Sequence, residues 1–314
     1  MMAMLNKLSC STRWAFNFKN WQPTEYEWCH AIMQLQEEER VRIGKFRYRD
    51  DAKASLIGRL MMRMWSKQFL STVSCPHTQP IFERTEKGRP KLILSAAQKE
   101  STRGINFDFN VAHAGEITVL AAETNRMSCV AIGVDVMPLK STRREQNVDE
   151  FLRLMKRQFT NDEWAQIRKS STDSDEGIHQ TMKNFYRFWC LKESFVKAEG
   201  SGLAWDLQRL SFSCPCTDLG SCPIVSTGLK IDRIPLQGWQ FQECRLRPNH
   251  CVAVAVNYSD HIPDTKNIEP FQFVNFHDLL DVDVSEDIGS TFLNTEDQKR
   301  EWKTFVSKEI NKPF

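Results

Sequence analysis

Asp135, Glu193 and Lys197 are the residues of this 314-residue chain whose types and spacing point most directly to chemistry. Asp135 stands in Gly133-Val134-Asp135-Val136, on the face of a predicted strand opposite Ile132, Val134 and Val136 and near the strand's end. A carboxylate there can point into a cleft; taken by itself, a surface aspartate at a strand edge is the simpler reading. Glu193 and Lys197 lie four apart in Trp189-Cys190-Leu191-Lys192-Glu193-Ser194-Phe195-Val196-Lys197, so one helix face carries both. An ordinary surface ion pair has that spacing. Trp189, one turn earlier on the same face, suggests instead a helix turned toward another domain, where both charges would be costly unless they served something. Magnesium takes oxygen ligands and usually only one or two carboxylates, the rest coming from phosphates and water. Asp135 and Glu193 would suffice.

Cations form a second group. Arg84-Thr85-Glu86-Lys87-Gly88-Arg89-Pro90 puts three of them around a glycine turn, a compact arrangement for gripping a phosphate monoester, although a solvated basic loop has the same composition. His113, beside Gly115 at a predicted strand end, could contact a phosphate or be a satisfied half-buried histidine. Lys45-Phe46-Arg47-Tyr48-Arg49 interleaves bases with aromatics as nucleic-acid surfaces do, but Phe46 and Tyr48 more easily face a core.

The elements that would position these groups are readable from periodicity. Trp14 to Phe18 reads as an opening strand and Glu37 to Val41 as a short acidic helix. From Asp50 to about Gln68 apolar residues recur at helical spacing, with Asp50 and Asp51 at the favourable end. Ile105, Phe107, Phe109 and Val111 alternate with polar residues as in a half-buried strand running into Ala112-His113-Ala114-Gly115. Ile117 to Glu123 and Val130 to Val136 are expected to pair as a hairpin around Thr124-Asn125-Arg126. A helix is expected near Val148 to Gln158, then a capping box at Thr160 and Glu163. A long helix over about Thr181 to Glu199 should stop at Gly200. Strands at Leu229 to Ile234, Trp239 to Leu246 and Cys251 to Val256 close the pattern.

Sliding the chain on itself by about 139 residues superposes Phe46 on Phe185, Lys53 on Lys192 and Ser55 on Ser194. With matching element order this predicts an α+β fold built as a pseudo-twofold duplication of two subdomains, each an antiparallel sheet packed with a long helix, around a cleft. The expected divisions are residues 1–125, 126–259 and an acidic, partly ordered extension over 260–314. A hydrophobic fraction of 41% and a net charge of +2 suit a chain with a sizeable core and exclude blanket attraction to nucleic acid or membrane. No window approaches a membrane span. The ten cysteines, with no secretory leader expected before Arg13, read as reduced cytosolic thiols. Cys214, Cys216 and Cys222 alone have a spacing near that of zinc ligands, without a CxxC pair to complete four.

In combination these residues resemble the 4′-phosphopantetheinyl transferases of the type that activates surfactin synthetase. The similarity runs from about Trp14 to Val256, through the Gly-Val-Asp strand and the Trp-x-x-Lys-Glu-Ser-Phe-x-Lys helix. It is closest to the animal members, through Arg13-Trp14-Ala15-Phe16, Asp51-Ala52-Lys53-Ala54, Gly58-Arg59-Leu60-Met61 and Phe185-Tyr186-Arg187. The resemblance implies a soluble cytosolic monomer with coenzyme A between its halves. It implies magnesium-dependent transfer of phosphopantetheine from coenzyme A to a serine of an apo acyl or peptidyl carrier protein, as in a holo-[acyl-carrier-protein] synthase, releasing adenosine 3′,5′-bisphosphate. Carriers of that kind belong to fatty acid synthase, to mitochondria and to aminoadipate-type reductases of lysine metabolism.

The resemblance also implies roles. Asp135 and Glu193 would hold magnesium on the pyrophosphate, Glu193 would accept the serine proton directly or through water, and Lys197 would stabilise the pyrophosphate and help the leaving group depart. Arg42, the loop of Arg84, Thr85, Glu86, Lys87, Gly88 and Arg89, and the segment Asn110, Val111, Ala112 and His113 would bind adenosine and phosphates, with Lys87, Arg89 and His113 the foremost phosphate contacts. Such positioning and charge compensation is what an in-line attack on phosphorus requires. Two positions depart from the bacterial pattern: Met137 replaces a second acid after the strand aspartate, and Ala112 replaces a serine before the histidine. A binding module that holds coenzyme A or a carrier without turnover, and a nucleic-acid-binding protein built on Lys45 to Arg49, are the competing readings.

Overall fold

The computed structural model describes residues 10–73, 79–126, 130–139, 148–169, 174–202, 205–259, 268–280 and 295–310. In chain order the elements are β1 (Cys10–Asn17), α1 (Glu25–Met33), α2 (Glu37–Gly44), α3 (Arg49–Thr72), β2 (Ile81–Arg84), β3 (Pro90–Ile93), α4 (Ala96–Ser101), β4 (Asn106–Ala114) and β5 (Ile117–Asn125). Then follow β6 (Ala131–Pro138), α5 (Val148–Leu154), α6 (Asn161–Ile167), α7 (Asp175–Glu199), β7 (Leu210–Ser213), β8 (Ile224–Ile231), β9 (Ile234–Pro235), β10 (Trp239–Leu246), β11 (His250–Asn257), β12 (Gln272–Phe273) and α8 (Glu296–Val306). The mixture of helices and mainly antiparallel strands is α+β, as expected.

The chain folds into two compact units, each discontinuous in sequence. One gathers Met1–Arg13, Gly104–Gly115 and Ala121–Phe271; the other gathers Trp14–Arg103, Glu116–Leu120 and Gln272–Phe314. The segments around β4 and the end of β5, expected with the N-terminal part, thus group with α7 and the C-terminal strands.

In the unit that holds α7, the sheet has the order β6-β11-β10-β8-β7, with β9 added to β8. Val134 pairs with Val254 and Asp135 with Ala253 across β6 and β11, and β10 continues antiparallel with Ala253 opposite Glu243. Phe159, Phe185, Leu191, Phe195, Phe212 and Phe241 form the core between this sheet and α7, each such burial contributing about 1.5–3 kcal/mol. Thr160 caps α6 in a capping box with Glu163. Gly200 ends α7 in the left-handed region at φ 66°, a conformation glycine adopts without a Cβ penalty.

One expectation is corrected here. The proposed hairpin of Ile117–Glu123 with Val130–Val136 does not form: β6 pairs with β11, while β5 lies in a sheet of order β12-β1-β5-β4. Every residue from Ile117 to Glu123 is buried, and a strand buried on both faces takes the interior of a sheet rather than one arm of an isolated hairpin. Trp189 packs on Phe159 and Phe185 of its own unit, at ring distances of 6.3 and 6.4 Å, and so contributes to a local aromatic core.

In the other unit α3 carries fifteen buried residues, and β2 and β3 form a two-stranded hairpin. Described parts of the expected extension belong here. β12 pairs in parallel with β1 at Trp14 and Ala15, Phe276 stacks on Trp21 at 4.5 Å, and α8 places Phe305 on Trp28 at 3.8 Å.

Candidate active site

Gly133 controls how closely α7 approaches β6. A β-carbon on Gly133 would lie 2.0 Å from the Ser194 carbonyl oxygen and 2.4 Å from the Ala198 amide nitrogen, so only glycine permits this contact. Two residues along, Asp135 occupies the same face of the strand and is 7% exposed. Cys190, Glu193, Ser194, Lys197 and Ala198 recur at three- and four-residue spacing, which lines them up on one side of the helix. Lys197 Nζ donates to Asp135 Oδ1 at 2.6 Å, and the Cys190 thiol lies 3.0 Å from the Asp135 carbonyl oxygen.

The other carboxylate oxygen, Oδ2 of Asp135, is buried with no hydrogen-bond partner. Glu193, one turn before Lys197 and half-buried, makes no hydrogen bond or ion pair among the described residues. Burial pushes the Asp135 carboxyl up, with Lys197 partly offsetting the shift. Burial also raises Glu193, and the Asp135 charge raises it further against the pull of Lys197. For Lys197, about a third exposed by side-chain area, desolvation lowers proton affinity but the attraction of Asp135 and then Glu193 outweighs it, and the ammonium is held charged. One strand and one helix of a single unit therefore converge two carboxylates and a lysine.

This donor set fits a hard divalent cation. An unpartnered buried carboxylate oxygen beside a second carboxylate that resists ionisation is stabilised by a cation, and magnesium asks for only one or two protein carboxylates. Met137 is half-buried and adds no oxygen ligand. Among the described residues no group of three or more His, Cys, Asp or Glu side chains is arranged for a metal, so phosphate and water would complete the shell.

The remaining predicted residues fall into two places. Asn110 and Ala112 are buried in β4, Val111 is half-buried and His113 is exposed. Asn110 Oδ1 accepts from the Val134 amide at 3.1 Å, and Asp108 Oδ2 accepts from the Ile132 amide at 2.8 Å. These side chains thus occupy outward-facing donors of β6, the strand that bears Asp135. The strand continues to Ala114, and the turn begins at Gly115, φ 61°.

In the other unit Arg84 ends β2 and the turn Thr85-Glu86-Lys87-Gly88 leads to Arg89 and β3. Gly88 N donates to Thr85 O at 2.8 Å, with Gly88 at φ 83°, the positive value a tight hairpin turn demands. Arg84 donates to Glu39 at 2.9 and 3.0 Å and to Gly88 O at 2.7 Å, and Arg59 also bonds Glu39. Burial raises the Glu39 carboxyl, but Arg59 and Arg84 overcome this and hold it low. Burial lowers the proton affinity of Arg59, and Arg84 and Arg42 lower it further. Arg59 and Arg84 thus share the Glu39 carboxylate, and the exposed Arg42 adds its charge to the field felt by Arg59. Lys87 is exposed at the turn. Glu39 and Arg59 were not among the residues expected from sequence. Arg59 sits one residue after Gly58 on a helix that reads as core, and nothing in its spacing links it to Arg84.

Comparison with known proteins bears on what such a molecule does. The family profile described as 4′-phosphopantetheinyl transferase, N-terminal, matches residues 19–125, and that of the 4′-phosphopantetheinyl transferase superfamily matches residues 131–255. An L-aminoadipate-semialdehyde dehydrogenase-phosphopantetheinyl transferase of Homo sapiens is 37% identical over 278 residues, covering 85% of this chain and 84% of its own. The chain belongs to the 4′-phosphopantetheinyl transferase superfamily. A member of the same description from Xenopus laevis is 37% identical over 86% of each chain, and a phosphopantetheinyl transferase of Thraustochytrium sp. is 31% identical over 78% of each. Within this superfamily the chain's Asp135, Glu193 and Lys197 all lie in the segment matched by the second profile, and the Arg42 and Arg84 cations lie in the segment matched by the first.

Proposed function

We propose that this transferase moves 4′-phosphopantetheine from coenzyme A to a serine of an apo carrier protein in a magnesium-dependent reaction and releases adenosine 3′,5′-bisphosphate. The observation that carries the reading is the pairing of Asp135 Oδ2, buried without a partner, with Glu193, whose proton affinity is raised by burial and by Asp135. Magnesium bound to Asp135 and Glu193 together with the diphosphate would neutralise charge on the phosphate oxygens.

The chain's own groups account for the rest. A serine hydroxyl is a poor nucleophile without a base, and Glu193 is the carboxylate not committed to an ion pair among the described residues. It accepts the serine proton as oxygen attacks phosphorus, and the bond from that phosphorus to the bisphosphate oxygen breaks. Lys197, kept charged by Asp135, offsets the negative charge that gathers on the departing oxygen. The Arg42, Arg59 and Arg84 cluster with Lys87 and Arg89 binds the phosphate monoester of coenzyme A, and His113 adds a further phosphate contact. The names of the relatives, L-aminoadipate-semialdehyde dehydrogenase-phosphopantetheinyl transferases, support a carrier domain of an aminoadipate-type enzyme as one acceptor.

The test is incubation of the protein with coenzyme A, Mg²⁺ and an apo acyl carrier protein, read by mass. The carrier should gain one phosphopantetheine in the presence of Mg²⁺ and none in excess chelator. A carrier that binds but keeps its mass would refute catalysis and leave the binding-module reading in its place.

A further inference from the structure

Helix α2 carries Glu39 and Arg42; Glu39 and the Gln36 side chain, which exchanges hydrogen bonds with the Phe82 backbone at 2.7 and 3.2 Å, tie down its N-terminal half, and its C-terminal end depends on other contacts. Its N-cap residue Gln36 makes no side-chain cap bond, and Ile43 is its single buried residue. Eight residues form a marginal helix in water; the Lys45 and Phe46 amides satisfy Arg42 O and Ile43 O at 3.2 and 3.3 Å, and the final carbonyl, Gly44 O, takes a donor from elsewhere. The C-terminal segment supplies it. Lys308, 8% exposed, extends Nζ to Gly44 O at 2.7 Å and to Phe46 O at 2.6 Å, placing a cation at the negative end of α2. Beyond it the chain pairs with the corner that follows α2: Glu309 N donates to Arg47 O at 3.0 Å and Arg49 N to Glu309 O at 2.9 Å. Arg49 also donates to Lys308 O at 3.2 Å and to Val306 O. Helix α8, which delivers Lys308, is itself fixed by Phe305 on Trp28 and by the Cys29 thiol on Gln298 O at 3.3 Å.

We infer that residues 295–310 are a clamp for the coenzyme A site, with Lys308 a positioning residue that holds α2 so that Glu39 and Arg42 stay in register with Arg59 and Arg84. The inference rests on the proposed reading that these cations bind the phosphate monoester of coenzyme A. Lys308 touches no substrate in this scheme; it acts through the helix it caps. When the cap is lost, α2 samples other orientations, and affinity for coenzyme A falls by the fraction of time the helix is competent.

The experiment uses the full chain and compares Lys308→Met, Lys308→Arg, Lys87→Ala and Arg42→Ala with wild type, on coenzyme A and on dephospho-coenzyme A, which lacks the monoester. If α2 is competent about a tenth of the time without its cap, Lys308→Met should raise KM for coenzyme A about tenfold. The same variant should keep kcat within about twofold, because no transition-state contact is removed, and should leave KM for dephospho-coenzyme A unchanged. Lys308→Arg, which still donates to both carbonyls, should restore the wild-type KM. An unchanged KM in Lys308→Met, or an equal rise on both substrates, would overturn the clamp while Lys87→Ala and Arg42→Ala still weaken coenzyme A alone. If those two variants also leave KM untouched, the phosphate reading falls and the inference with it. Hydrogen exchange on the wild-type protein gives a second test that needs no variant to fold: α2 amides should open together with those of α8, and α2 exchange independent of α8 would overturn the proposal.

Discussion

A carboxylate that serves as a base near neutral pH works best when its proton affinity approaches the working pH, and burial beside a second carboxylate achieves this. Glu193 has both conditions. Glu193→Gln should therefore lower transfer by about 10²–10⁴-fold, with the far-ultraviolet spectrum unchanged. In the wild type the rate should climb with pH as Glu193 loses its proton. The same shift acts on stability with a definite sign. Folded Glu193 keeps its proton to a higher pH than the unfolded chain does, so in that interval the folded state binds more protons and stability falls as pH rises. Glutamine removes the penalty: Glu193→Gln should melt above wild type at about pH 8 and together with it below about pH 4. Each kcal/mol relieved raises Tm by roughly 2–4 °C. A variant that melts lower at the higher pH would show that Glu193 is stabilised in the fold, not held there against its ionisation.

Strand β6 and helix α7 form the element pair that makes the site, and Gly133 is where they meet. The atoms a side chain would strike are Ser194 O and Ala198 N, both backbone, so Gly133→Ala must move the helix itself. Such overpacking costs about 1–3 kcal/mol or more, and here it also draws Glu193 and Lys197 away from Asp135. Urea unfolding and the transfer assay should both register the change. Gly200→Ala is the control: nothing lies within 4 Å of its missing Cβ, and the left-handed conformation alone should cost about 1 kcal/mol with turnover preserved. The Gly200 stop and the Thr160–Glu163 cap were legible because a single local pattern determines each. The partner of β6 was not. β11 is more than a hundred residues away, and alternation in β6 says which faces are apolar without saying which strand covers its edge. The side chains of Asp108 and Asn110 on the Ile132 and Val134 amides have no signature in sequence at all.

At the scale of the molecule, the correspondence of Lys53 with Lys192 turns out to be physical. Both are buried on long helices, Lys53 donating to Trp21 O at 3.2 Å and Lys192 to Leu207 O at 2.6 Å and Leu210 O at 2.8 Å. Each lysine thus ties its helix to a neighbouring segment, Lys53 to the stretch between β1 and α1 and Lys192 to the turn that leads into β7. The internal match and the element order exposed this much, whereas the discontinuous units and the clamp by residues 295–310 depend on contacts between distant segments that periodicity does not encode. The two lysines differ in their counterions. Lys53 pairs with Asp50 on its own helix, but Lys192 pairs at 2.8 Å with Glu163, and both side chains are fully buried. Glu163 further accepts from the Phe212 amide at 3.0 Å and caps α6, so removal of Lys192 would strand a charge that several segments share. Lys192→Met should cost about 3–5 kcal/mol in urea titration followed by tryptophan fluorescence. Glu163→Gln added to it should restore part of the loss, because a neutral amide keeps an oxygen for Phe212 N without a buried charge. For comparison, Arg209→Ala breaks the half-exposed pair with Asp232 and should leave the urea midpoint close to wild type, because solvent screens that pair. If Lys192→Met proved no worse than Arg209→Ala, Glu163 would have to be protonated in the native state, and the double variant would then gain nothing over the single one.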